Sequence, residues 1–254
     1  MHVHVHNTKK LRGILAPPSS KSQNIRGIVF AALASGECTL LNPLTSDDTS
    51  DALRIAQSLG IHIKFHDRSI TLSGAGIPFQ TTTEYFYSGN SGLTTLFSLP
   101  LLGLRDQPHI PVIFDCGDQM RARPIAPLVR ALNQLGMDIR YLKEKEKCPL
   151  TVSGHLLGGK TMVDGLNSQY LSALLISLPC APKDSEIHIQ NLHERPYIEM
   201  TLSWLKKHSI NYTHNQFNDT DVFHIPGNQH YSPFQAHIPG DFSSASCIIA
   251  AATL

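Results

Sequence analysis

Pro124-Ile-Ala-Pro-Leu-Val-Arg-Ala-Leu-Asn-Gln-Leu-Gly136-Met-Asp-Ile139 carries apolar residues at helical spacing, reaches a glycine, and then alternates apolar with polar. This pattern predicts an amphipathic helix, a stop and a strand, because glycine takes the left-handed backbone of a helix terminus without steric penalty. The same pattern stands on either side of it. Upstream is Asp51-Ala-Leu-Arg-Ile-Ala-Gln-Ser-Leu-Gly60-Ile-His-Ile63. Downstream is Pro196-Tyr-Ile-Glu-Met-Thr-Leu-Ser-Trp-Leu-Lys-Lys-His-Ser209-Ile-Asn-Tyr212, with Ser209 in the glycine's place. A period of about 70–80 residues is longer than that of the usual solenoids, so the repeated object is a larger α/β unit.

Each of these helices is preceded by another, starting near Ser22, Asn90 and Ser168. Strand-like runs lie between the two sets, at Cys38–Asn42, His109–Asp115 and Glu186–Gln190. Paired strands follow the second helices, as in Ile61–His66 with Ser69–Ser73. The unit therefore reads helix–strand–helix–strand–strand, with a further strand expected before its first helix. Asp241-Phe-Ser-Ser-Ala-Ser-Cys-Ile-Ile-Ala-Ala-Ala-Thr-Leu254 begins a fourth copy and then stops. The pattern predicts one domain of three units over residues 15–238. Residues 1–14 and 239–254 are expected to belong to a neighbouring, truncated domain.

Composition narrows the function classes. The chain has 254 residues, 41% of them hydrophobic and 16% charged, which is enough apolar material for a sizeable core. A formal net charge of +1 gives no global electrostatic case for nucleic acid or an anionic membrane, so any anion site is local. The longest apolar runs, near Leu96–Leu104 and Leu171–Pro182, are too short to span a bilayer. The start of the chain has no basic segment followed by an apolar one, so it does not read as a signal peptide. Cys38, Cys116, Cys148, Cys180 and Cys247 are odd in number and widely spaced, which fits unbridged thiols in a cytoplasmic protein better than zinc or disulfides. His2, His4 and His6 alternate with valines and have no acidic or thiol partner nearby in sequence, so a strand with one polar face is the simpler reading than a metal site.

Three helix starts share an unusual chemistry. They read Pro17-Pro-Ser-Ser-Lys21-Ser-Gln-Asn-Ile-Arg26, Ser88-Gly-Asn-Ser-Gly-Leu-Thr-Thr95 and Asp164-Gly-Leu-Asn-Ser-Gln-Tyr170. A helix start leaves backbone N–H groups unpartnered and carries about half a positive charge. Small residues let an anion approach closely, while hydroxyls and amides add hydrogen bonds. Simple N-capping explains any one of these starts. Three together, with Lys21 and Arg26 added, point to a shared phosphate or carboxylate site. Met120-Arg-Ala-Arg-Pro-Ile125 is expected to open the second helix of unit two with Pro124 in its first turn, placing Arg121 and Arg123 to fork a carboxylate.

These motifs resemble, in order and across nearly the whole chain, those of the 5-enolpyruvylshikimate-3-phosphate synthases. Ser20-Lys21-Ser22 with Arg26, Ser46-Asp-Asp48, Gly89-Asn-Ser-Gly92, Arg123-Pro-Ile, Ser168-Gln169, Pro196-Tyr197 and Gly240-Asp-Phe-Ser-Ser-Ala carry the resemblance. It implies two similar domains, each an inside-out α/β barrel of three βαβαββ repeats with helices inside sheets, that close on substrates in a cleft. It implies transfer of the enolpyruvyl group of phosphoenolpyruvate to the 5-hydroxyl of shikimate-3-phosphate, the step towards chorismate and the aromatic amino acids. No cofactor and no metal are implied, and the full-length protein is expected to be a monomer. Lys21, Ser22, Arg26, Asn167, Ser168, Gln169 and Tyr197 are implied at shikimate-3-phosphate. Lys21, Asn90, Gly92, Arg123 and Gln169 are implied at phosphoenolpyruvate. The acid and base of the chemistry are expected from the second domain, so this chain alone is expected to turn over little.

Several positions depart from the family pattern. Asn167 replaces a serine, Leu93 and Leu96 stand where threonine and arginine are usual, and Glu194 replaces a serine. A carboxylate beside a bound phosphate is unfavourable, so Glu194 is expected to be neutralised by Arg195 or to point away. Two other functions fit parts of the pattern: enolpyruvyl transfer to a nucleotide sugar, and a non-catalytic anion-binding module of the same fold.

Overall fold

The computed structural model describes His4 and residues 12–253, so the expected strand through His2 and His6 lies outside the described residues. Unit one comprises α1 (Lys21–Leu33), β1 (Gly36–Leu41), α2 (Asp47–Ser58), β2 (His62–His66) and β3 (Ser69–Gly74). Unit two comprises β4 (Tyr85–Tyr87), α3 (Gly92–Ser98), β5 (Val112–Asp115), the short α4 (Asp118–Arg121), α5 (Ala126–Gln134), β6 (Met137–Tyr141) and β7 (Leu150–Gly154). Unit three comprises β8 (Gly159–Asp164), α6 (Ser168–Ser177), β9 (Ser185–Gln190), α7 (Arg195–Lys207), β10 (Thr213–Phe217) and β11 (Thr220–Ile225). β12 (Gln235–His237) and α8 (Phe242–Thr253) follow.

Each unit builds one four-stranded sheet of the same plan. A leading strand runs parallel to its neighbour and two antiparallel strands follow: β4-β5-β7-β6 in unit two and β8-β9-β11-β10 in unit three. In unit one the leading strand comes from the far end of the chain. β12 pairs parallel with β1, Thr39 opposite Gln235 through Leu41 opposite His237, and so covers an edge that would otherwise be open. The chain then runs beside its own start. Pro239 O accepts from Ser20 N at 2.8 Å, and Pro18 O accepts from Asp241 N at 2.7 Å.

The first helices of the units form the interior. Every residue of α1 from Asn24 to Leu33 is buried, as is every residue of α6 except Gln169. A helix apolar or small on all sides belongs inside. The second helices α2, α5 and α7 bury one face each, for example Ala52, Ile55 and Ala56 in α2 and Ile198, Leu202 and Leu205 in α7. Gly60, Gly136 and Ser209 end them in left-handed backbone, at φ +88°, +105° and +56°.

Several boundaries differ from the sequence pattern: β1 runs Gly36–Leu41 where Cys38–Asn42 is expected, β5 starts at Val112 and not His109, and two helix starts differ for identifiable reasons. α2 starts a turn earlier than Asp51, at Asp47, because Ser46 and Thr49 form a reciprocal cap in which each side chain accepts from the other's backbone N–H. Met120–Ile125 does not open α5. Pro124 disfavours helical backbone at Arg123, so α4 ends at Arg121 and α5 starts afresh at Ala126.

The end of α7 is closed by a ring cluster. The His208 imidazole lies 5.2 Å from Phe30, 5.6 Å from Tyr231 and 4.7 Å from Phe234, centroid to centroid. Burial, and secondarily Lys207, push it down from 6.5 to about 4. Between those pH values the unfolded chain binds a proton that the folded chain refuses, so stability falls as pH falls. The expected slope from this residue is about 1.4 kcal/mol per pH unit over that window. Urea denaturation at pH 6.5, 5.5 and 4.5 should show it in the parent chain and show a shallower slope in His208→Phe.

A candidate anion-binding site at the helix starts

α1, α3, α6 and α7 begin around one pocket. Lys21 and Ser22 reach it from α1, Ser91, Gly92 and Leu93 from α3, Ser168 and Gln169 from α6, and Glu194 and Tyr197 from α7; Arg123 enters from the α4–α5 link. The starts are capped locally. Ser20 Oγ accepts from Gln23 N, Ser91 Oγ from Thr94 N at 3.2 Å, and Asn167 Oδ1 from Gln169 N at 2.9 Å. Gly92 lets two polar groups close in on the backbone: a Cβ built there would lie 3.3 Å from Gln169 Oε1 and 3.4 Å from Arg123 Nη1.

The cations are held differently. Lys21 is half exposed, and its Nζ lies 2.8 Å from Asp48 Oδ2 in the first turn of α2. Arg26 lines the same pocket, as its spacing from Lys21 suggests, but from deeper in: it is 1% exposed, about a turn further along α1. Its Nε donates to Thr201 Oγ1 at 2.9 Å, Nη1 to Ser22 O at 3.1 Å, and Nη2 to Tyr197 O at 3.0 Å and Ser172 Oγ at 3.5 Å. Of its five N–H groups these leave one, on Nη1, with no acceptor among the described residues. Its guanidinium also stacks 5.1 Å from the Phe97 ring centroid. Burial pulls its pKa down to about 10, which still leaves it charged at neutral pH.

Other expected site residues lie elsewhere. Asn90 is exposed and turned away from the pocket, its Oδ1 accepting from Gln119 N at 3.1 Å. Asn167 spends its side-chain oxygen on the α6 cap. Arg121 forks a carboxylate, but an internal one: its Nε and Nη2 bind the two oxygens of Asp115. Burial alone would raise the Asp115 carboxyl, but Arg121 and the Cys116 N–H outweigh it and hold it below the ordinary range. Leu93 gives the pocket an apolar wall, and Leu96 is buried in the core.

Glu194 overturns both expectations for it. Its Oε2 accepts from Ser168 N at 3.2 Å and Ser168 Oγ at 2.8 Å, so it points into the site. Arg195 does not neutralise it, because that guanidinium is paired with Asp221 at 3.0 Å. Ser172 and Thr201, which hold Arg26, gave no sequence signal beyond Ser172 lying one turn after Ser168. A second groove, by Gln80–Glu84, has its Arg105 turned inward onto the carbonyls of Leu102, Ile110 and Val152, and no helix starts in it.

Three repeated α/β units whose buried helices open on one charged pocket define the enolpyruvyl-transferase class of fold. Solved structures of the same plan bear this out: an EPSP synthase from Acinetobacter baumannii superposes with a TM-score of 0.77 over 92% of this chain and 51% of that one, at 20% identity. The family model for EPSP synthase (3-phosphoshikimate 1-carboxyvinyltransferase) matches residues 5–254, and the chain belongs to that family. A 3-phosphoshikimate 1-carboxyvinyltransferase of Acetivibrio thermocellus is 38% identical over 237 residues, covering 93% of this chain and 55% of the relative. One of Photorhabdus laumondii is 40% identical over 253 residues, covering 96% and 57%. The chain thus spans about half the length of the curated relatives it matches. Among the described residues no helix is long and apolar enough to cross a membrane, and no three His, Cys, Asp or Glu side chains gather to hold a metal.

Removing Arg26 should be a stability lesion and removing Lys21 should not. Arg26→Met strands several buried acceptors and is expected to cost about 3 kcal/mol. Lys21→Ala breaks an exposed ion pair and is expected to change stability by less than about 1 kcal/mol. Equilibrium urea unfolding of both variants checks the contrast.

Proposed function

We propose that this chain supplies the pocket in which shikimate-3-phosphate and phosphoenolpyruvate meet, for transfer of the enolpyruvyl group to the acceptor's 5-hydroxyl with release of phosphate. The observation that carries the proposal is the convergence of buried helix starts with Lys21, Arg123 and Gln169 on one pocket, in a chain of this family. Residues 15–238 would form the substrate-binding domain, with 1–14 and 239–254 belonging to its neighbour. Four of the five cysteines are buried and all are unbridged, which suits a reducing cytoplasm. The full-length protein would act as a monomer.

The proposed roles follow from position. Arg123 and the open backbone at Gly92 suit the carboxylate and phosphate of phosphoenolpyruvate, since a planar fork matches both groups. Lys21, tethered only by Asp48, can swing between the two substrates. Ser22, Ser168, Tyr197 and the remaining Nη1 hydrogen of Arg26 face the acceptor, and Gln169 lies between the two. Attack on the enol carbon builds a tetrahedral centre bearing phosphate and carboxylate. Fixed cations and helix starts stabilise that charge without rearranging. The chemistry also needs a proton donor and an acceptor. The nearby carboxylates are committed, Asp48 to Lys21 and Glu194 to Ser168, so those groups would come from elsewhere in a whole enzyme.

Two measurements test this. Isothermal titration should show shikimate-3-phosphate binding to the chain, weakened about tenfold or more in Lys21→Ala, while a nucleotide sugar does not bind. Equal affinity in that variant, or preference for the nucleotide sugar, overturns the assignment. Phosphate release from the two substrates should be about 100-fold or more slower than in full-length relatives. Turnover at their rate would show that the chain carries its own acid and base.

A further inference from the structure

The start of α6 is already occupied by an anion, and that anion belongs to the protein. Glu194 is the residue preceding α7, yet its side chain makes no cap on its own helix. A conventional N-cap residue is extended and serves the first turn that follows it. Glu194 instead sits in left-handed backbone, at φ 51° and ψ 37°, and sends its carboxylate across to the backbone N–H and hydroxyl of Ser168. Ser168 is 1% exposed and lines the pocket, and these two donors have no other acceptor among the described residues. The nearest cation in sequence, Arg195, is held by Asp221, which is itself 1% exposed. Glu194 is thus balanced by the α6 start and the pocket, not by a private partner.

We propose that Glu194 is a specificity-determining residue: a tethered carboxylate that competes with the acceptor's phosphate group for the first turn of α6. One carboxylate oxygen accepting an N–H and an O–H presents to α6 what a phosphate oxygen would present. Both cannot sit there, because adjacent like charges in a partly enclosed site repel. A tethered competitor acts at high effective concentration. Phosphate therefore binds only to the fraction of molecules in which Glu194 has swung out, and its apparent affinity falls by that fraction. The left-handed backbone at Glu194 costs free energy, which favours a segment able to move once its carboxylate loses Ser168. The identity of the incoming ligand rests on the function proposed above; the occupation of the α6 start by Glu194 does not.

The test uses the whole chain, with inorganic phosphate and shikimate-3-phosphate as probes and the Ser168 amide signal in nuclear magnetic resonance titrations as readout. Glu194→Ser removes the carboxylate. Glu194→Gln keeps the shape without the charge and serves if the serine variant folds poorly. Both variants are expected to bind inorganic phosphate at the Ser168 amide about tenfold or more tightly than the parent, and phosphate should raise their melting temperatures more than the parent's. Unchanged or weaker phosphate binding at Ser168 in both variants overturns the proposal. If both gain inorganic phosphate but bind shikimate-3-phosphate no better than phosphate alone, the tethered competitor stands and the acceptor assignment falls.

Discussion

A helix buried on every side still has to begin, and its first turn leaves backbone N–H groups that the helix itself does not use. α1 and α6 are such helices, enclosed from Asn24 to Leu33 and from Tyr170 to Ser177. Their beginnings are places where the interior meets water with a net positive face. The repeat brings them together, because each unit lays its first helix against the same interior and starts it from the same end of its sheet. The pocket is therefore a by-product of the packing: wherever three copies of this module close around a shared core, their electropositive tips meet.

Alignment of those tips depends on what fixes the helices relative to one another. Apolar side chains slide and repack with modest penalty, whereas a buried guanidinium does not. Arg26 binds Ser22 within α1, Ser172 in α6, Thr201 and Tyr197 in α7, and stacks on Phe97 of α3. Moving any one of these helices would unpair a donor or acceptor in a dry interior, where the loss is not repaid by water. A charged residue that the sequence suggests as a substrate ligand thus serves mainly as the bolt through the helix starts, with a single N–H left for the pocket.

What was legible in the sequence followed from periodicity. The second helices announced themselves through apolar spacing and through Gly60 and Gly136, because their fate is decided locally by one buried face and one left-handed stop. The three first-helix starts were equally plain, since glycine, serine and asparagine there leave a compositional trace. What local rules do not decide was not legible. α2 begins at Asp47 because of a cap formed with threonine, a weaker signal than the usual glutamate. β12 completes the first sheet from the opposite end of the domain, and nothing in Gln235–His237 names β1 as its partner. Asn90 and Asn167 look like ligands by motif, but a side-chain amide beside open backbone N–H groups is captured by the nearest one, Gln119 in one case and Gln169 in the other.

The repeat also explains where the pocket's side-chain charges come from. First helices contribute backbone N–H groups, which are the same in every unit, and α1 adds the Lys21 cation. The starts of second helices contribute side chains, which can differ: Asp48 in α2, Arg123 just ahead of α5, and Glu194 just ahead of α7. Arg123 and Glu194 line the opening with opposite signs, while Asp48 is connected to it through its ion pair with Lys21. Asp48 is offset by Lys21 and so adds little net charge, leaving Arg123 and Glu194 as the groups that set the polarity of the two sides. Backbone geometry gives the site a positive face whatever side chains surround it. The three side chains stand in or just ahead of the first turns of second helices and outside every strand, so their identity is independent of the sheet pairing.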